Sequence, residues 1–354
     1  MTTPANKTTE AIFKTYEEKQ AKTAKEKPRK GRLGCGRVGM KCERALWYEF
    51  RQCTPVSFGG RMLRLFDRGQ IEEPRIVADL RNIGCTVHEV DASTGGQFAV
   101  SALGGHLAGY MDGAALGVPE APDVWHLLEF KTINKKGFST LSSQGAEKCK
   151  PEHFGQMQLY MHLGGLKWAL YICCNKDTDE LYAERIEYDK AKADLLMQKS
   201  ARVVEDNEAP ARVSEDSNNY LCRFCDHKPL CFGSQAPAPA VPCEVNCRTC
   251  AHSTADTSGE GGKWHCDKHN HGLNVTQQKA ACDSHLFLPS LVRIGTPVDG
   301  DGDHVKYEKP DGTQFINSAK EYTSKELATL PDPLIGAGLV DDVKTVFDVT
   351  LDTV

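Results

Sequence analysis

Nowhere does this 354-residue chain string together the roughly 18 apolar residues that a membrane-spanning helix needs. Its first residues, Met1-Thr2-Thr3-Pro4, lack the apolar core of a signal peptide, so a cytoplasmic protein with no membrane contact is expected. An excess of positive charge is missing too. The 43 Lys and Arg face 48 Asp and Glu, a net charge of -5, so any contact with nucleic acid has to come from local patches. The glycine-rich stretch Gly31 to Gly39 lacks the Gly-Lys-Ser/Thr ending of a phosphate loop, and no strand precedes it, which excludes a nucleotide loop. Asp299-Gly-Asp301-Gly-Asp303 resembles a calcium loop but has Pro310 where the twelfth-position glutamate belongs, so an acidic turn is expected there.

The chain has 40% hydrophobic residues, enough for a sizeable core and more than one domain. It also has 15 cysteines. Without a secretion signal these read as metal ligands and small core residues rather than as a disulfide framework. Cys222, Cys225 and Cys231 form one group, and Cys243, Cys247, Cys250, Cys266 and Cys282 another. Cys53, Cys85, Cys149, Cys173 and Cys174 are isolated or lie in apolar runs, as core cysteines do.

Chemistry concentrates at Asp112-Gly113 and Leu127-Leu128-Glu129-Phe130-Lys131-Thr132. On a strand, Glu129 and Lys131 share one face while Leu128 and Phe130 enter a core. Tyr110-Met111-Asp112 reads as the end of a preceding strand, and a hairpin return places Asp112 opposite Glu129. Two carboxylates about 4 Å apart repel by roughly 4 kcal/mol at an effective dielectric of about 20. Such a pair calls for a hard divalent ion, magnesium or manganese, with Lys131 placed to orient a water that the metal acidifies. A Glu-x-Lys triplet alone is more often a solvated face. Its apolar flanks and the nearby aspartate shift the balance.

Along the chain, residues 1-30 read as a flexible basic arm, with Lys14, Lys19, Lys22, Lys25, Lys27, Arg29 and Lys30. A helix is expected from Met62 to Ile83, kinked or opened at Pro74, with Glu72 and Glu73 before the kink as acids for the metal or as ordinary first-turn acids. Thr86 to Val100 and Leu103 to Asp112 read as strands, and Asn134 to Lys150 as a flexible loop. Pro151 to Leu163 is a helix on which Gln156 and Tyr160 share a face. Lys167 to Cys174 and Leu181 to Tyr188 form a hairpin, followed by a helix from Lys190 to Val204. This order gives an α/β fold, a mixed central sheet flanked by helices.

Glu73, Asp112, Glu129-Phe130-Lys131 and Gln156-x-x-x-Tyr160 together resemble the PD-(D/E)xK nucleases of the RecB type, close to phage recombination exonucleases, over residues 31-235. The resemblance implies a restriction-endonuclease-like fold and a DNA exonuclease of recombination or end processing, acting in the host cytoplasm if phage-encoded. It makes Asp112 and Glu129 metal ligands, gives Lys131 the attacking water, and assigns Gln156 and Tyr160 to positioning the DNA strand. The upstream acid is then Glu73, or Glu72, where the RecB type has histidine. Cys222-x2-Cys225-x5-Cys231 with an early Cys42 resembles the iron-sulfur members of the group, implying a 4Fe-4S cluster that closes a loop of about 180 residues. Cys35 rivals Cys42, and zinc rivals iron.

An Ala/Pro linker, 236-242, is expected next. Residues 243-290 then resemble a small zinc-binding module on Cys247, Cys250, Cys266 and Cys282, with fifteen residues in each of the two long gaps. His252, His265, His269, His271 and His285 are substitute ligands, and a second iron-sulfur centre stays open. Lys263, Trp264, Lys268 and His269 are candidates for nucleic-acid contact, against a Trp that simply covers a small metal core. Residues 291-354 are expected to give a hairpin over His304 to Glu308 and Gln314 to Asn317, a short helix from Ser324 to Leu330 and an acidic tail. Two other readings remain: a catalytically silent nucleic-acid-binding scaffold, and an adaptor for a single-strand annealing protein.

Overall fold

A computed structural model describes residues 6-26, 31-55, 57-233 and 238-338. The chain forms two compact units. The first comprises Met1–Met40, Val56–Ala102 and Leu107–Ser200, the second Lys41–Pro55, Leu103–His106 and Ala201–Val354. The domain expected over 31-235 is therefore divided. Its early segment 41-55 and its cysteine-bearing end share a core with the C-terminal residues.

In chain order the elements begin with α1 (Lys7–Glu26), β1 (Leu33–Gly34), α2 (Cys35–Val38) and α3 (Glu43–Phe50), the last belonging to the second unit. The first unit continues with α4 (Gly60–Asn82), β2 (Thr86–His88), β3 (Ala99–Ala102), β4 (Leu107–Tyr110), β5 (Gly113–Leu116) and β6 (His126–Ile133). Then come α5 (Lys135–Cys149), α6 (Pro151–Gly164), β7 (Trp168–Asn175), β8 (Leu181–Glu187) and α7 (Lys190–Glu205), within which the first unit ends.

The central sheet has five strands in the order β2-β5-β6-β7-β8. β6 runs parallel to β7 and antiparallel to β5, so the sheet is mixed. Alternation along β6 sorts its side chains. Leu128 and Phe130 join Leu170 and Ile172 beneath Ile76, Val77 and Leu80 of α4, while Glu129 faces α6. α6 follows its start and stop signals: Pro151 occupies the first turn, where its missing N–H costs nothing, and Gly165 closes the helix in the left-handed region at φ +70.

Several expectations are corrected here. The arm expected over 1-30 is helical from Lys7 to Glu26, and its Glu17 carboxylate accepts from the N–H of Gly60. α4 runs through Pro74 as one helix. The strand expected over 86-100 is two short strands, separated by a turn that the Asp91 side chain closes onto Ser93. Residues 134-150 are not a loop but α5, started by Asn134 accepting from the N–H of Gly137 and broken only at Gly145, φ +76.

The second unit contains α3, α8 (Lys228–Phe232), an antiparallel sheet of β9 (Ser253–Asp256), β10 (Lys263–Cys266) and β11 (His271–Leu273), and α9 (Val275–Ala280). A second antiparallel sheet of β12 (Thr296–Gly300), β13 (His304–Glu308) and β14 (Gln314–Ser318) precedes α10 (Ser324–Leu327). One core joins Trp47 and Tyr48 of α3 to Leu230, Val241, Phe287, Leu291, Tyr307, Phe315 and Leu327.

The expected linker therefore ends early. Pro239 pairs with Pro331, and the N–H groups of Ala240 and Val241 donate to the carbonyls of Leu330 and Leu327. Residues 243-290 and 291-338 share this core and are not separate bodies, and Cys243 packs there with Cys53. The acidic tail lies outside the described residues. Among the described residues no helix is long and apolar enough to cross a membrane.

Candidate active site and cysteine centres

Asp112 ends the short link between β4 and β5. It is not on the strand preceding a simple hairpin, since β4 belongs to a different sheet, ordered β1-β4-β3. β5 nevertheless delivers it, because Gly113 pairs with Leu128. The backbone N–H of Phe130 donates to Asp112 Oδ2 at 2.7 Å, which fixes that carboxylate beside Glu129 and leaves Oδ1 for another partner. Glu129 is fully buried. Its Oε1 accepts from Lys131 Nζ, and Oε2 accepts from Gln156 Nε2 at 3.1 Å. The same Gln156 amide reaches the Tyr160 hydroxyl at 3.1 Å.

Electrostatics mark this as one site. Burial pushes the Glu129 carboxyl up to about 7, with the Lys131 ammonium opposing and Asp112 adding to the rise. Asp112 is raised by burial, partly offset by Lys131 and by the N–H of Phe130. Glu73 is raised by burial and then by Asp112, with Lys131 opposing. Burial pulls Lys131 down, but Glu129, Asp112 and Glu73 more than offset it, so its ammonium is held charged. The two upstream acids differ in surroundings. Glu73 is coupled electrostatically to Asp112 and Lys131, whereas Glu72 lies 3.4 Å from Arg75 and beside Cys174. Glu72, Cys174 and Asp179 also bring their ligand atoms within 4.8 Å of one another. Arg75 pairs with both of these acids and already supplies the positive charge there.

Sequence reasoning missed the neighbours that shape this site. Tyr171, paired with Glu129 across β6 and β7, shares a hydrogen bond with His153 of α6 at 2.8 Å. Burial, and then Lys131, push His153 down to about 3, so it stays neutral. Two glycines make room for the polar pair of α6. A Cβ on Gly109 would lie 2.3 Å from the Tyr160 ring, and one on Gly36 would lie 3.0 Å from Gln156 Oε1. The glycine-rich stretch thus serves helix packing, a use to which its spacing in sequence gave no clue.

In the second unit Cys42, Cys222, Cys225 and Cys231 line one small cavity of about 20 Å³ together with Tyr48, His227 and Phe232. Cys35, the rival of Cys42, lies fully buried in the first unit among residues that include Tyr160. Cys247, Cys250, Cys266 and Cys282 line a second small cavity of about 10 Å³ with His252, His269 and His285. His269 Nε2 stands 3.6 Å from Cys282 Sγ, and the buried His252 Nε2 has no hydrogen-bond partner. Trp264 is fully buried against Phe50 and so covers the core rather than offering a nucleic-acid contact. Lys268 is tied to Asp303. His265 lies near Asp267, and His271 stacks on His269.

Both thiol sets fit soft metals by chemistry.

No family model matches the chain, and no curated protein does. Thirteen chains of solved structures match. One is LHK-Exo in complex with dAMP, 19% identical over 55% of this chain and 90% of that one, with a TM-score of 0.36. Another is the alkaline exonuclease LHK-Exo from Laribacter hongkongensis, 18% identical over 54% and 90%, TM-score 0.36. A third is SSO0001, 16% identical over 64% and 97%, TM-score 0.37.

Proposed function

We propose that this chain is a metal-dependent deoxyribonuclease of the PD-(D/E)xK type, and within that class an exonuclease. The observation that carries the reading is the fully buried Glu129, set between Lys131 and Gln156 beside an Asp112 whose second oxygen has no hydrogen-bond partner among the described residues. A buried carboxylate cluster of this kind is costly unless a cation or proton compensates it. Asp112 and Glu129 would hold magnesium or manganese, which when bound polarises the scissile phosphate and acidifies a water.

Lys131, held charged, orients that water by donating to it and stabilises the negative charge that develops on the phosphate. It does not remove the proton. In this structure its ammonium is the counter-charge to Glu129 Oε1, and a metal held by Asp112 and Glu129 would share that role. Gln156 fixes the second Glu129 oxygen and, with Tyr160, orients the substrate strand. Glu73 adds a third carboxylate near the pair.

The same proposal assigns a 4Fe-4S cluster to Cys42, Cys222, Cys225 and Cys231, and zinc to Cys247, Cys250, Cys266 and Cys282. Both are read as structural. An annealing protein as partner rests on the sequence resemblance alone. The deciding experiment is digestion of end-labelled single- and double-stranded DNA by anaerobically purified protein, with magnesium and with chelator. Progressive release of nucleotides only with magnesium supports the reading. Intact DNA under all conditions supports the silent scaffold instead.

A further inference from the structure

The two cysteine centres sit at opposite ends of one short helix. Cys42 is the N-cap of α3, and its sulfur accepts from the N–H of Ala45 at 3.4 Å. At its other end the carbonyls of Trp47, Tyr48 and Glu49 accept from the N–H groups of Arg51, Cys53 and Gln52, which leaves Phe50 O and the carbonyls of the turn after it. The segment carrying Cys247 and Cys250 supplies their partners. Arg248 Nη1 donates to Phe50 O at 3.1 Å, Asn246 Nδ2 to Gln52 O at 3.1 Å, and the N–H of Glu244 to Cys53 O at 2.8 Å.

Contacts run the other way too. Arg51, fully buried at the helix end, donates from Nη1 to Arg248 O at 3.0 Å, and its guanidinium lies between the rings of Trp47 and Trp264. Asn246 in turn caps the Cys247–Thr249 turn by accepting from the N–H of Arg248, and Thr249 bonds back to the N–H of Asn246. The turn that presents two candidate ligands is therefore also the C-terminal cap of the helix that presents a ligand of the other centre. Eight residues span about 12 Å.

Resting on the metal assignments above, we infer that the two centres are thermodynamically coupled through α3. Metal on Cys247, Cys250, Cys266 and Cys282 orders the 246-250 turn, the turn caps α3, and the capped helix holds Cys42 in place for the first centre. Linkage makes the effect on affinity reciprocal: each filled centre tightens the hold of the other on its metal, which is read here as slower metal loss.

The test uses the full chain, purified anaerobically, with iron and zinc contents measured and release to a chelator followed in time. Cys282 is exposed and forms none of the capping bonds. Cys282→Ser is expected to lose zinc and to release iron faster than wild type, by roughly 5-150-fold where the affinity change usual for linked sites is expressed in the off-rate. Cys231→Ser should speed zinc release by a comparable factor. Asn246→Ala keeps every thiol and removes both the bond to Gln52 O and the side-chain cap of the Cys247–Thr249 turn. Folded by circular dichroism and still holding zinc, it should release iron faster than wild type, which separates lost capping from general unfolding. The coupling is overturned if Cys282→Ser empties its own centre while iron release stays at the wild-type rate, or if folded Asn246→Ala releases iron like wild type. A wild-type chain with both thiol sets metal-free overturns the metal assignments and the coupling together, an outcome distinct from failure of the coupling alone and independent of any nuclease assay.

Discussion

The two units are held together by different means. In the first, a sheet buries a continuous apolar layer under α4, Ile76, Val77 and Leu80 on Leu128, Phe130 and Ile172, and its buried charge gathers at one place, around Glu129. In the second, described strands are three to five residues long, and the interior holds Arg51, Asn246, Arg248, Thr249, His285 and Asn317 beside its aromatics. Around elements that short, side-chain hydrogen bonds carry more of the load, and the metals proposed for the thiol sets would add to them. In the first unit a metal would serve chemistry, and in the second it would serve folding.

The largest expected effect separates these uses of metal. Glu129→Gln or Lys131→Ala should lower magnesium-dependent cleavage of labelled DNA by about 10³-fold or more while circular dichroism stays unchanged. Equal activity in either variant removes the nuclease reading. Next in size, Cys225→Ser should cost the second unit several kcal/mol, on the order of 3-5, because the free energy of thiolate-metal binding is folding free energy there. Hydrogen exchange should report this as lost protection across residues 201-233. Magnesium chelation, in contrast, should leave exchange throughout the chain as it was.

In the first unit the matching test is apolar. Leu128→Ala should cost about 2-5 kcal/mol in denaturant melts, with thiolate-bound metal content unaffected. A smaller effect is expected from Gly109→Ala, whose methyl would meet the Tyr160 ring. Cleavage should fall by about 10-fold as that ring and Gln156 shift, without a large loss of stability. Smallest is a pH term. His153, ordinarily near 6.5 when unfolded, is held down to about 3, so the unfolded chain binds the extra proton between those values. Its contribution to stability is complete above pH 6.5 and is lost as the pH falls toward 3. His153→Gln should flatten the acid limb of the stability profile over that window.

Much of the candidate site was legible because it rests on periodicity. The two-residue alternation along β6 put Glu129 and Lys131 together, and the four-residue spacing on α6 paired Gln156 with Tyr160. The choice between Glu72 and Glu73 was not legible, since it depends on which side of α4 meets the sheet. Nor was α5, whose buried side is only Leu141 and Ala146, too few apolar residues to leave a helical pattern. The Ala/Pro run read as a linker from composition, which is silent about coverage. Val241 is fully buried by residues some 85 positions later, such as Leu327. The second unit's core was hidden for the same reason: its parts are separated in the chain by as much as 288 residues, from Trp47 to Ile335.

The eight-residue length of α3 has a geometric corollary. A helix turns about 100° per residue, so inserting or deleting a single amino acid between Cys42 and Arg51 would swing the sulfur a quarter-turn or more around the axis and shift it by about 1.5 Å. Point substitutions on the outward side of this strut are tolerable by that logic. Changes in its residue count are not, which makes the helix a ruler whose graduations are set by what must be gripped at each end.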